Sequence, residues 1–369
     1  MQNKSFNAKI LYGLVLVITI VSVFNYYIDP YNVFHNDNHF NFYRPSLNKN
    51  HRISKIPELK LMKTKIDAVW IGSSRTGWYS SEEYDSFVAK KTIKNMFING
   101  CSFKETITMA KNAMIIRPEI KEIYIDLDFS MFKTGIEKSN ALLPTKSKKL
   151  VKEEVLPLLF SLDTFSCSIK TLSKNLKLKK LQRKKDTASI IANFGEEKQV
   201  NKKVIHKFKN TIKEYYADCY HNFELDESKV NELKAFIEYA NENGKKVVFF
   251  ITPMHMTERI LFEGTNTLED FYKLKVKLAE IQPFYDFATV DEFSTEKISV
   301  DMQHFRDAVH AYPRLRKKIT NKLFGKDENY GVLITKDNVH KYNEIDKQMF
   351  LKYLDENQDA IRLVKEWCK

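Results

Sequence analysis

The sequence predicts an α/β protein with a parallel sheet covered by helices, tethered by an apolar helix at its N-terminus. Three observations carry this. Short, almost continuously apolar runs recur along the chain, such as Ile66–Ile71 (IDAVWI) and Lys246–Ile251 (KVVFFI), the pattern of strands buried on both faces. Stretches of helical periodicity separate them, and strands alternating with helices form parallel crossovers. Finally, Ile10–Ile28 reads ILYGLVLVITIVSVFNYYI without a charge, close to the ~20 apolar residues that a helix needs to cross hydrocarbon.

The apolar run comes first in the chain. Lys4 and Lys9 precede it, Asp29 follows it, and Tyr12, Tyr26 and Tyr27 lie near its ends. Basic flanks stay in the cytoplasm and tyrosines favour the interfaces. Residues 1–9 are therefore expected in the cytoplasm, 10–28 as a transmembrane signal anchor, and the remainder outside. The bulky Asn25-Tyr26-Tyr27 offers no small-residue cleavage site, so the anchor is expected to be retained. Residues 29–60, opening on Asp29-Pro30-Tyr31-Asn32-Val33-Phe34, read as a lead-in.

The α/β core is expected over 61–325. Its strands fall at Ile66–Ile71, Ile93–Ile98, Ile123–Leu127, Lys246–Ile251 and Phe284–Thr289. Helices are expected over Ser102–Ile116, Asp226–Asn243, Phe271–Ile281 and Asp307–Leu323, the second with an N-capping Asp226 and a Gly244 stop. A Lys-rich helical insertion occupies about 145–210 and crowds Lys174, Lys177, Lys179, Lys180, Arg183, Lys184 and Lys185 together. An extension over 326–369 ends in a helix from about Glu344 to Trp367.

Sixty basic residues against 47 acidic ones give a net charge of +13. That suits an anionic membrane surface or an anionic polymer. The outward topology, and the lack of an aromatic-interleaved binding module, disfavour nucleic acid. Cys101, Cys167, Cys219 and Cys368 are spaced too widely for a zinc pattern or a disulfide framework. A single disulfide and free thiols both remain open, and no metal or cofactor is expected.

Three spots carry chemistry. Ile71-Gly72-Ser73-Ser74-Arg75-Thr76 follows the first strand, and the carboxyl edge of an open α/β sheet is where ligand-facing groups gather. Backbone N–H groups at the start of the next helix can stabilise an anion there. Asp301-Met302-Gln303-His304 lies late in the chain. A serine needs a base within hydrogen-bond reach, histidine suits that near neutral pH, and an aspartate can hold its other ring nitrogen. Asn99-Gly100-Cys101-Ser102 follows the second strand, where a glycine lets backbone approach a ligand. His255, after the fourth strand, is a candidate to line the substrate pocket. His310 is expected on a helix surface.

Gly72-Ser73-Ser74, Gly100 and the late Asp301-x-x-His304 resemble, in that order, the sequence blocks of the SGNH (GDSL-like) hydrolase superfamily. More narrowly, the chain resembles its membrane-anchored members of the DltD, AlgX and AlgJ kind. The resemblance covers roughly 60–325. It implies a three-layer α/β/α, flavodoxin-like parallel sheet, with Ser74 as nucleophile, His304 as base, Asp301 as orienting carboxylate, and the Ser74 and Gly100 amides as the oxyanion hole. Arg75, Asn99, Asp128 and His255 become substrate-pocket candidates. It also implies a serine esterase or O-acyltransferase acting on a cell-envelope glycan or anionic polymer, with a membrane-bound protein as acyl donor. One block departs. After the third strand the chain reads Ile125-Asp126-Leu127-Asp128-Phe129-Ser130 where the family carries an asparagine, and an ionised Asp cannot donate to an oxyanion. Losing one such donor typically lowers turnover by about 10²–10³-fold. The alternative is therefore a catalytically silent SGNH-fold envelope protein that binds glycan or scaffolds a membrane complex.

Overall fold

The structure is a computed structural model that describes residues 2–31, 33–34, 51–79, 82–135, 145–149, 152–182, 203–325 and 329–369. Most of the lead-in, including Asn32, lies outside the described residues, as do Arg183, Lys184 and Lys185 of the lysine-rich stretch. The chain divides into two compact units. One comprises Met1–Lys65, Asn112–Pro118 and Leu142–Glu196; the other comprises Ile66–Lys111, Glu119–Ala141 and Glu197–Lys369. Helices run α1 (Gln2–Ile28), α2 (His51–Leu61), α3 (Ser74–Tyr79), α4 (Glu82–Ala89), α5 (Phe103–Ile116), α6 (Lys152–Phe160) and α7 (Leu162–Gln182). They continue as α8 (Val204–Tyr215), α9 (Glu227–Glu242), α10 (Met256–Gly264), α11 (Leu268–Ile281), α12 (Pro313–Leu323), α13 (Val339–Glu356) and α14 (Gln358–Trp367).

The second unit is built on a six-stranded, mostly parallel sheet. Its strands are β1 (Ala68–Ile71), β2 (Ile93–Asn95), β3 (Glu122–Leu127), β4 (Lys246–Ile251), β5 (Phe284–Asp286) and β6 (Val332–Ile334), in the order β2-β1-β3-β4-β5-β6. The five expected strands all form and run parallel, with Trp70 opposite Tyr124 and Phe250 opposite Tyr285. The ladders are shorter than the apolar runs. Met96, Phe97 and Ile98 stay buried beyond β2 itself, with the Met96 N–H still donating to Trp70 O at 2.7 Å and the Ile98 N–H to Gly72 O at 2.9 Å. β6 pairs antiparallel with β5 and was not expected, because three residues with a half-exposed middle are too short to show periodicity; a short edge strand also limits unwanted pairing.

Helix boundaries follow local chemistry. Asp226 caps α9 by accepting from the Ser228 N–H at 3.1 Å, and Gly244 ends that stretch at φ +68°, a conformation costly to any residue with a Cβ. α12 begins at Pro313 rather than Asp307. Proline's fixed φ suits the first helical position, so residues 307–312 form a loop, which decides the site below. The expected C-terminal helix is two helices separated at Asn357, starting earlier, at Val339.

In the first unit, Asn7–Ile28 of α1 is long and apolar enough to cross a membrane. All four cysteines are free thiols.

Candidate functional site

The candidate nucleophile sits on a turn made tight by its sequence. Gly72 leaves β1, and Ser74 opens α3 immediately afterwards. A Cβ at Gly72 would lie 2.3 Å from the Thr76 hydroxyl oxygen and 2.5 Å from the Asp126 Cβ, so only glycine lets the turn close. Thr76 then donates to the Asp126 carboxylate, while the Ser73 hydroxyl accepts from the Arg75 N–H at 3.2 Å. Ser74 itself stays partly exposed between these anchors.

The partner of Ser74 is His310. Ser74 Oγ and His310 Nε2 are 2.9 Å apart. On the other side of the ring, His310 Nδ1 lies 2.9 Å from both oxygens of Asp307. Asp307 Oδ1 also accepts from the backbone N–H groups of Val309 and His310, at 3.1 and 2.9 Å. Burial pushes the Asp307 carboxyl upward, but the His310 ring and these N–H donors outweigh it and hold it below the usual carboxylate range. The loop is closed by a Phe305–Ala311 bridge, by Arg306 N–H donating to His310 O at 2.9 Å, and by Tyr312 N–H donating to His304 O at 2.7 Å. A serine, an imidazole and an ionised carboxylate thus line up from β1 and from the loop before α12.

The expected pair Asp301 and His304 is corrected by this geometry. His304 is turned toward Glu296, which accepts from its backbone N–H at 2.9 Å and lies 3.2 Å from its Nδ1, with the Phe293 ring alongside. Asp301 is exposed, and its carbonyl accepts from the Gln303 amide. His310, expected on a helix surface, lies on the loop because Pro313 delays the helix. The signal was present: Asp307-Ala308-Val309-His310 is a second Asp-x-x-His, and Pro313 marks where the helix starts.

His255 also differs from expectation. It is only 2% exposed. Its Nδ1 accepts from the Thr257 N–H at 3.2 Å, capping α10, and its Nε2 lies 2.7 Å from the Glu296 carbonyl oxygen. Its backbone N–H donates to Ala308 O at 3.0 Å, next to Asp307. With both nitrogens engaged in the interior and the ring edge-on to Phe305 at 5.5 Å, His255 is a structural residue beside the His310 loop instead of a pocket-lining one. Burial lowers its pKa to about 4, so it is neutral at pH 7. Asn99 and Gly100 form an exposed turn after β2, with Gly100 at φ +58°.

Behind Ser74, Arg75 is buried in an ionic cluster. Its Nε lies 2.8 Å from Asp128 Oδ1, and its two terminal nitrogens reach Glu258 at 3.0 and 2.5 Å. Thr252 donates to Asp128 at 3.1 Å, and the Tyr220 hydroxyl donates to Glu258 at 2.7 Å. Burial keeps the Glu258 carboxyl above its usual range even against the guanidinium. Arg75 and Asp128 are thus spent on each other, tying the Ser74 turn to the end of β3 and to α10. Among the described residues no group of three or more His, Cys, Asp or Glu side chains could hold a metal ion.

No protein-family model matches the chain, and no curated protein matches it. A distant structural neighbour among solved structures is a Streptococcus pneumonia protein described as "a putative platelet activating factor", with 11% identity and a TM-score of 0.38, covering 75% of this chain and 92% of that chain.

Proposed function

We propose that the protein is a serine acyl-transfer enzyme of the SGNH type, with Ser74 as nucleophile, His310 as general base and Asp307 as the carboxylate that orients it. The observation that carries this reading is the continuous Ser74–His310–Asp307 chain of 2.9 Å contacts. Serine alone is a weak nucleophile; an adjacent imidazole held in one tautomer by a carboxylate activates it. In the reaction, Ser74 Oγ attacks an ester carbonyl as its proton passes to His310 Nε2. The tetrahedral adduct collapses, the leaving alkoxide takes that proton, and an acyl-Ser74 ester remains. An acceptor hydroxyl then gives its proton to His310 and attacks the acyl carbon, and as the second adduct collapses His310 returns that proton to the departing Ser74 Oγ. Water as acceptor makes the enzyme an esterase; a sugar hydroxyl makes it an O-acyltransferase.

The substrate and place rest on the resemblance to membrane-anchored members of the superfamily, together with the apolar α1 and the net positive charge. They point to a single-pass protein with its N-terminus in the cytoplasm and its α/β unit outside, acting on a cell-envelope glycan or anionic polymer with acyl groups from a membrane-bound donor. One observation favours the silent alternative. Asp128 occupies the third-block position and is neutralised by Arg75, so that block supplies no amide donor to an oxyanion.

A fluorophosphonate probe separates the two. Wild type should label, and Ser74→Ala and His310→Ala should not. A wild-type chain that never labels would assign the silent role, and a Ser74→Ala chain that labels equally would overturn Ser74 as the nucleophile.

A further inference from the structure

The first unit holds an apolar surface that the proposed chemistry does not use. Along α1, Ile10, Leu14, Val17 and Ile20 are exposed, whereas Val21, Asn25 and Ile28 are buried. The cover comes from the elbow where α6 ends at Phe160 and α7 begins at Leu162. Asn25 Nδ2 donates to Leu159 O at 2.9 Å and to Ser161 O at 3.2 Å, and Asn25 Oδ1 accepts from the Ser168 hydroxyl at 3.0 Å. Phe24 meets Phe165 edge-on at 5.3 Å. A single asparagine within the apolar run thus donates to the carbonyls at the break between the two helices, where Ser161 O also accepts from the Phe165 N–H at 3.0 Å. Water would do that job for an elbow outside a bilayer. In hydrocarbon the protein must do it internally.

Length then fixes the depth. The uncovered stretch from Ile10 to Ile20 rises only about 16 Å at ~1.5 Å per residue, about half of a ~30 Å hydrocarbon core. The remaining rise comes from Val21–Ile28, the turns that α6 and α7 cover. The outer surface of the elbow matches such a place: Leu156, Phe160, Leu162, Ile169 and Leu176 are all exposed, Leu162 at 74%. Leu162, Ile169 and Leu176 recur every seven residues and so share one face of α7. Lys170, Lys174 and Lys177 are exposed beside them, long enough to extend to headgroups. Asp163 lies about 100° round the helix from that stripe, in the first turn, where the dipole favours an acid. The pair Glu153–Phe160 and Leu162–Lys177 is apolar enough together to pass for a span but is bent by 61°, a break that suits a re-entrant element as well as an interrupted span.

We propose that the α6–α7 elbow is a re-entrant element immersed in the lipid leaflet that surrounds Val21–Ile28, so that the first unit grips the bilayer by two elements. This rests on reading Asn7–Ile28 as a membrane crossing. The test uses the full chain in vesicles of phosphatidylethanolamine and phosphatidylglycerol, with p-benzoylphenylalanine replacing one residue at a time. Val17 reports the crossing, Leu162 and Ile169 report the elbow, and exposed Lys234 on α9 is the aqueous control. After irradiation, lipid adducts should appear by mass at 17, 162 and 169 and be absent at 234. Adducts at 17 without any at 162 or 169 overturn the elbow and leave the crossing standing. Absence at all four overturns the crossing and the elbow together. A protein cross-link in place of lipid at 162 gives the face to a protein partner and overturns the proposal.

Discussion

His304 and His310 lie six residues apart, and their surroundings give them different work. His310 faces Ser74 across 2.9 Å, so His310→Gln should lower turnover of an activated ester such as p-nitrophenyl acetate by about 10³-fold or more, the loss typical when a base or its orientation is removed. His304→Gln should stay within a few-fold, because its contribution to the loop is a carbonyl that accepts from the Tyr312 N–H, which glutamine retains. A larger loss in the His304 variant than in the His310 variant would sink the assignment. The serine was legible from sequence because a strand, a glycine and a polar turn announce where backbone must bend. The histidine was not, because two Asp-x-x-His motifs stand within ten residues and the choice between them turns on where a helix begins. Reading Pro313 as a helix start would have placed Asp307 and His310 on the loop.

At the scale of elements, the site depends on α3 and α10 being held to the sheet. Arg75 makes that link, with Asp128 after β3 and Glu258 on α10 as its counter-charges. Arg75→Met leaves two buried carboxylates facing each other without their cation, which should cost about 3–5 kcal/mol. Adding Glu258→Gln should recover part of it, and thermal unfolding of the four forms of the cycle measures the coupling; strict additivity would refute it. His255 holds the other side of the site, and burial lowers its pKa to about 4. The unfolded chain, near the ordinary ~6.5, takes up that proton first. Stability should therefore fall as pH drops from about 6.5 to 4, by ~3 kcal/mol over the window. His255→Asn keeps a cap acceptor for α10 and removes the titration, so its melting temperature should fall less over that range than wild type's. The strands were readable because they are apolar along their length; these two tethers were not, since Arg75, Glu258 and His255 are indistinguishable in sequence from surface residues.

Across the second unit as a whole, the C-terminal extension behaves as part of the core. β6 adds an edge to the sheet, and α14 buries Val364 and Trp367. α13 sends Asp346 inward to Arg259, which also donates to the Tyr272 hydroxyl at 2.6 Å, while Lys275 pairs with Asp286 at 2.6 Å. Burial pushes Asp346 up, but Arg259 and Lys275 outweigh it and lower its pKa to about 2. Its share of stability is present at neutral pH and lost as pH falls from about 4 through 2. Asp346→Ala leaves Arg259 without its carboxylate and should cost about 3–5 kcal/mol, or about 10 °C in melting temperature for a unit of this size. The neighbouring Lys347, paired with Glu269 at the surface, is the control. Lys347→Ala should shift melting by no more than about 2 °C, because exposed pairs contribute ~0–1 kcal/mol. Equal melting of the two variants would mean that α13 is a dispensable appendage. A large difference would mean that the sheet carrying Ser74 folds only when its last forty residues close over Arg259 and Lys275.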